Sequence, residues 1–264
     1  MSEIFGFAFF RYALAAMVLV AIAAGIIGSY IVVRRLVFAA GGITHASFAG
    51  LGFACFMGWN PVATAAVSAV LAAIGIESLG SGRRVRDDSA IGVIWAVGMA
   101  LGTLFIFLTP GYVPELTAFL FGDVLTVTAT DLIIFAAYLA VAIAVVAFGY
   151  RIILAAAFDP AFATTRRLPA ALLNACMTVL AAIGIVLTIR LVGIVLLMSM
   201  FTLPTMTAEL FSHRLSTIMV IASAVALVAG IAGLLIASLV SVPVSALIVL
   251  LLALLYAAAR LARS

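Results

Sequence analysis

The sequence predicts an all-α polytopic membrane protein of about nine transmembrane helices, with eight as the alternative count. Three observations predict it. Of 264 residues, 68% are hydrophobic and only 8% are charged, against roughly 45–50% and about 25% in soluble globular domains. The apolar residues gather in runs close to the ~20 that a helix needs to cross a bilayer. The basic residues, all 13 of them arginine, lie in short clusters between those runs, as topology determinants do. No water-soluble fold of this size can hide such an apolar excess, so soluble enzymes and soluble binding domains are excluded.

The runs can be taken in order. The first, 8–33, ends at Arg34-Arg35. It exceeds the roughly 7–15 residues of a signal h-region and follows Glu3 rather than a basic stretch, so it reads as a retained helix. The second, 39–58, is interrupted by Gly41, Gly42, Gly50 and Gly52. The third, 61–78, precedes the cluster Arg83, Arg84 and Arg86. The fourth, 90–108, follows the solvated entry Asp87-Asp88 and contains Gly98-x-x-x-Gly102, a spacing that permits close helix packing. The fifth is 130–154. The sixth and seventh, 170–189 and 191–211, lie either side of Arg190, and Pro204 interrupts the latter. The eighth and ninth are 215–238 and 242–260. The second and seventh are the least regular, so a break or tilt is expected there, and one merger leaves eight spans.

Arginine placement tests the count. Arg34, Arg35, Arg83, Arg84, Arg86, Arg151, Arg166, Arg167, Arg214, Arg260 and Arg263 all follow odd-numbered segments, leaving Arg11 and Arg190 on the other side. Nine crossings with the N-terminus outside and the C-terminus inside fit this asymmetry best. Residues 1–264 then form a single transmembrane domain. Two loops exceed a minimal turn. The outer one, 109–128, carries Gly111, Pro114 and the apolar Phe119-Leu120-Phe121. The inner one, 155–169, reads AAAFDPAFATTRRLP; Asp159 is a helix N-cap with Pro160 at the first helical position. A short capped helix on the inner face of a transporter points to a docking partner.

Few residues can carry chemistry. Without lysine the chain has no phosphate-binding loop and hydrolyses no ATP by itself. The net charge of +4 is spread among topology clusters and does not indicate nucleic acid. Cys55 and Cys176 read as small buried hydrophobes. No HExxH motif, paired intramembrane aspartates or serine–histidine–aspartate set is present, which leaves a membrane-embedded enzyme without a catalytic constellation. His45 stands deep in the second segment, with Gly41, Gly42, Phe48 and Ala49 on its helical face and Thr44 and Ser47 on an adjoining one. Neutral imidazole is a ligand for zinc and other first-row metals, and ionisable groups inside a membrane usually line a polar path. The alternative is a histidine bonded to a carbonyl of the next helix. In the seventh segment Met198, Thr202, Thr205 and Glu209 fall at spacings of four, three and four, with His213 four further on. They form either a translocation stripe or threonines bonded back to their own helix, with Glu209 pairing to His213 or Arg214.

These motifs resemble the permease subunit of the zinc/manganese family of bacterial ABC importers, from about Gly25 to Leu252. GGITHASFAGLG at Gly41–Gly52 is similar to the family's glycine-flanked HAS motif. DSAIGVIWAVGMALG at Asp88–Gly102, FLFGDVL at Phe119–Leu125, FDPAFA at Phe158–Ala163 and LVGIVLLMSMFTLPTMTA at Leu191–Ala208 follow in the family's order. The resemblance implies a type II importer-like permease in the bacterial cytoplasmic membrane. It implies a second permease copy, two ATP-binding cassette subunits below, and a periplasmic or extracellular metal-binding receptor above. ATP would be used by those partners, and the chain itself would bind no cofactor, only pass a divalent metal. The helix around Asp159, Pro160, Phe162 and Ala163 would couple to the ATPase, and His45 would belong to a metal gate. Many members carry an aspartate where this chain has Gly41, so a paired aspartate–histidine gate is absent. Arg167 stands where a glycine commonly ends the coupling helix, and Ser241-Val242-Pro243 lacks the family's acidic residue. Two rival readings stand beside it: a related permease for a metal chelate such as a siderophore or corrinoid, and an ion-coupled secondary carrier. The first would lack a metal-coordinating histidine; the second would want mid-membrane carboxylates and an inverted repeat.

Overall fold

The computed structural model describes residues 7–81, 87–111, 122, 124–158, 166, 169–240 and 242–263. Among them, eight helices are long and apolar enough to cross a membrane. In chain order they are α1 (Ala8–Val33), α2 (Val37–Met57), α3 (Pro61–Ser81), α4 (Asp87–Leu108), α5 (Ala129–Phe158), α6 (Ala170–Glu209), α7 (Leu215–Val240) and α8 (Val244–Leu261). A short 3-10 turn, Val124–Thr126, precedes α5.

The local chemistry of the chain sets the helix ends. Arg35 takes a left-handed conformation (φ 57°) directly after α1, a helix-terminating geometry. Gly58 does the same after α2 at φ 69°, and the Trp59 N–H donates back to the Ala54 carbonyl at 3.0 Å. Asn60 then caps α3: its Oδ1 accepts from the Val62 and Ala63 N–H groups at 3.0 and 3.1 Å, with Pro61 in the first helical position. α5 opens on a reciprocal cap. The Asp131 carboxylate accepts from the Thr128 N–H and hydroxyl at 3.1 and 2.7 Å, and the Asp131 N–H donates to the Thr128 hydroxyl at 3.2 Å.

The second segment shows no break, whereas the seventh, 191–211, is broken, though not at its proline. The glycine-rich second segment is one uninterrupted helix, and Pro204 sits inside α6 without ending it. The break falls instead at Gly193, where φ 79° and ψ 170° leave helical space. That conformation is open to glycine and very costly for other residues. The sixth and seventh expected segments are therefore one helix of 40 residues carrying an internal break. At 1.5 Å per residue it measures about 60 Å, roughly twice a hydrocarbon core; Gly193 divides it into 170–192 and 194–209.

The chain forms two compact units. The first comprises Met1–Arg34, Thr117–Phe148 and Thr188–Ser264. Within it α1 packs along α7, α7 against α8, and α1 against the 3-10 turn. A π-turn, Ala24–Gly28, interrupts α1 where its neighbours come closest: a Cβ on Gly25 would meet Ser223 and the Met219 carbonyl, and one on Gly28 would meet the Phe201 backbone. The second unit comprises Arg35–Leu116 and Gly149–Leu187. Here α2 is the buried centre, flanked by α3 and α4, which also touch each other. The outer faces of α3 and α4 are apolar and exposed, through Val67, Leu71, Val93, Leu104 and Phe107, as lipid-facing surfaces require.

Candidate functional site

His45 lies mid-way along α2, and the packing around it is made by small residues. A Cβ on Gly42 would meet Ile91, one on Gly98 would meet the Ala46 backbone, and one on Gly102 would meet Phe48. Position numbers rise together along both helices, so α2 and α4 run parallel. Against α3 they fall: a Cβ on Gly50 would meet the Thr64 carbonyl, and the Ser68 hydroxyl donates to the Ala46 carbonyl at 2.9 Å. α3 is therefore antiparallel to α2. The backbone next to His45 is held from two sides, by Gly98 of α4 and Ser68 of α3, within van der Waals or hydrogen-bonding reach. Gly41 is buried on the same helix.

The His45 imidazole is half-buried and stacks on the Trp95 indole, with ring centroids 4.2 Å apart and planes 10° from parallel. Phe38 packs on the same indole at 6.1 Å. Trp95 was not among the residues singled out from the sequence, which placed Gly41, Gly42, Phe48 and Ala49 on the face of His45. The signal was there: Trp95 is three residues before Gly98 and hence on the face of α4 that meets α2. The alternative sought for His45, a bond to a neighbouring carbonyl, is not made through Nδ1. That atom is buried and has no hydrogen-bond partner among the described residues. The nearby hydroxyls are committed locally: Thr44 donates to the Ala40 carbonyl at 2.8 Å and Ser47 to the Thr44 carbonyl at 2.6 Å. A buried ring nitrogen without a partner costs about 1–3 kcal/mol, and no hydrogen bond at Nδ1 fixes the plane of the imidazole.

The second stripe lies in the other unit, on 194–209 of α6. The Thr202 hydroxyl donates to the Met198 carbonyl at 2.7 Å and the Thr207 hydroxyl to that of Leu203 at 2.8 Å, so two threonines bond to their own helix. Thr205 does not; its hydroxyl is buried without a partner among the described residues. Pro204 has no N–H to donate to the Met200 carbonyl. Glu209 closes the helix, half-buried, in electrostatic range of His213. Ahead of this stripe, a Cβ on Gly122 (φ 65°) would meet the backbone of Val192 and Gly193. Two of the ordered motifs, FLFGDVL and LVGIVLLMSM, thus meet through two glycines. Arg190, three residues before the break, pairs with Asp131 at 3.6 Å.

Among the described residues, no group of three or more His, Cys, Asp and Glu side chains gathers to hold a metal. Asp159, Pro160, Phe162 and Ala163 lie outside the described residues, between the end of α5 at Phe158 and the start of α6 at Ala170. Phe119-Leu120-Phe121 lie outside them too.

Comparison with known proteins adds a second kind of observation. Residues 6–263 match the ABC 3 transport family. The chain is 35% identical over 237 residues to a "Probable metal transport system membrane protein" of Chlamydia trachomatis serovar D, covering 88% of this chain and 81% of that one. It is 30% identical over 258 residues to "Manganese transport system membrane protein MntC" of Halalkalibacterium halodurans, covering 98% and 88%. Among solved structures it is similar to PsaBC from Streptococcus pneumoniae in complex with Fab, with a TM-score of 0.87 and 26% identity, over 98% of this chain and 93% of that chain.

Proposed function

The chain belongs to the ABC 3 transport family, and from that premise we propose that it forms the membrane path of an ATP-driven importer for divalent transition metal ions, manganese or zinc. The observation within the chain that carries this assignment is His45: a half-buried imidazole on a helix held at two neighbouring points, with Nδ1 left unbonded. An ion crossing lipid needs transient replacement of its water ligands, and neutral imidazole supplies that without a fixed charge. With glycine at position 41, the site has no adjacent carboxylate to hold the ion, which suits passage over storage. Relatives named for manganese and metal transport support the ion as cargo over a chelate.

Thr44, Ser47, Met198, Thr202, Thr205 and Glu209 belong to the same proposed path. Of these, Thr205 has the strongest independent support, because its buried hydroxyl is unpartnered. Glycines 41, 42, 50, 98 and 102 serve close packing, and the narrow spaces at the last four support that role. The working assembly is two copies of this chain with two ATP-binding subunits and a metal-delivering receptor. The loop 155–169 couples to the ATPase through Asp159, Pro160, Phe162 and Ala163. The N-terminus lies outside and the C-terminus in the cytoplasm; arginine asymmetry and the Gly193 break in an over-long α6 both support this odd number of crossings.

Uptake by His45→Ala and His45→Gln variants, measured beside membrane abundance, tests the assignment. Metal uptake should fall sharply in both while the protein still reaches the membrane. Misfolding in the alanine variant with near-normal uptake in the glutamine variant would assign His45 to structure alone.

A further inference from the structure

A histidine that binds a metal does so through a lone pair in the plane of its ring, so the ring plane must be set before the ion arrives. Usually the second ring nitrogen does this by donating a hydrogen bond to a carboxylate or carbonyl. His45 has no such partner at Nδ1, and the hydroxyls of Thr44 and Ser47 are spent on backbone carbonyls. What fixes its plane is the Trp95 indole, 4.2 Å away and 10° from parallel. Stacking occupies only the face of the imidazole and leaves the in-plane edges, where ligation occurs, untouched. The indole is itself held. Phe38 packs on it at 6.1 Å with planes at 44°, and Gly98, one turn further along α4, brings that helix against the Ala46 backbone next to His45. The depth and tilt of the indole therefore follow from backbone contact between two helices.

We propose that Trp95 is the positioning residue for His45, orienting the imidazole by stacking in place of the hydrogen bond that ordinarily orients a metal-binding histidine. It rests on the assignment of His45 to the ion path. Two consequences follow. A flat ring at position 95 preserves the orientation and an aliphatic side chain does not. The indole also sits beside any ion that reaches His45, so its fluorescence reports the ion directly.

The chain has two tryptophans, so Trp59→Phe leaves Trp95 as its sole tryptophan, and a complex bearing Trp59→Phe with Trp95→Phe gives the background emission to subtract. In the full permease–ATPase complex bearing Trp59→Phe, manganese(II) alone, a paramagnetic ion, should quench this emission saturably. Adding His45→Ala should abolish the saturable part. Trp95→Leu should reduce uptake about 10-fold or more, the usual cost of losing an orienting neighbour of a metal ligand, at unchanged membrane abundance. Trp95→Phe should recover most of that loss. Equal uptake in Trp95→Leu and Trp95→Phe, or saturable quenching that survives His45→Ala, overturns the positioning role. If His45→Ala transports normally, the underlying assignment of His45 has failed. If His45→Ala loses uptake while Trp95→Leu keeps it, only the role of Trp95 has.

Discussion

At the scale of single residues, what distinguishes one glycine from another is the space beside it. Gly98 and Gly92 both lie in α4, yet a Cβ on Gly98 would sit 2.5 Å from the Ala46 Cα, whereas one on Gly92 would meet nothing within 4 Å. Alanine should stabilise the helix at Gly92 by about 0.5–1 kcal/mol through reduced chain entropy. At Gly98 it should destabilise by about 1–3 kcal/mol by forcing α2 and α4 apart. Thermal unfolding in detergent reads both shifts; a gain at Gly98 would mean that the close approach is not what holds His45 in place. The sequence made Gly98 and Gly102 legible as packing residues because their spacing repeats once per turn. It made His45 legible because a histidine deep in an apolar run is rare. Trp95 was not legible as its partner, since Gly98 and Gly102 mark a close-packing face of α4 without saying that the helix packed on it is α2. The threonines show the converse. Thr44 and Thr202 stand out as polar residues within apolar spans, and the structure shows their hydroxyls spent on their own helices.

At the scale of elements, most helix positions could be read directly from apolar runs and arginine clusters, because lipid requires each span to be apolar throughout. The irregularities could not. Glycines in α2 remain helical because close neighbours on both sides hold them there, and Pro204 forfeits one hydrogen bond without ending α6. Gly193 breaks the helix because its φ of 79° lies where only glycine is comfortable and because Gly122 packs against its backbone. Gly193→Ala should therefore lower thermal stability markedly, whereas Gly→Ala in a regular exposed helix raises it. A stable, fully active alanine variant would show that the break is dispensable. The inner loop carries the other prediction at this scale. Phe162→Asp places a charge where an apolar residue should insert into the ATPase, so ATPase association and uptake should be lost while membrane insertion persists. Normal association in that variant would remove the coupling role from this loop.

For the whole molecule, composition alone assigns the lipid environment, and the order of motifs points to the family that 6–263 then matches. The arginine clusters predict the direction across the membrane. Cysteines introduced at Ser2 and Ser264 should label from opposite faces of the membrane; labelling from one face would mean that α6 crosses once in spite of its break. The absence of lysine removes any phosphate-binding loop, so energy must come from separate subunits. The most direct test is uptake of manganese(II) and zinc(II) into vesicles containing this chain with its ATPase subunits and receptor, at fixed ion gradients, with and without ATP. Uptake should require ATP and both partners, and should cease in His45→Ala. Metal uptake that proceeds without ATP under an ion gradient, or the absence of metal uptake alongside transport of a metal chelate, would contradict it.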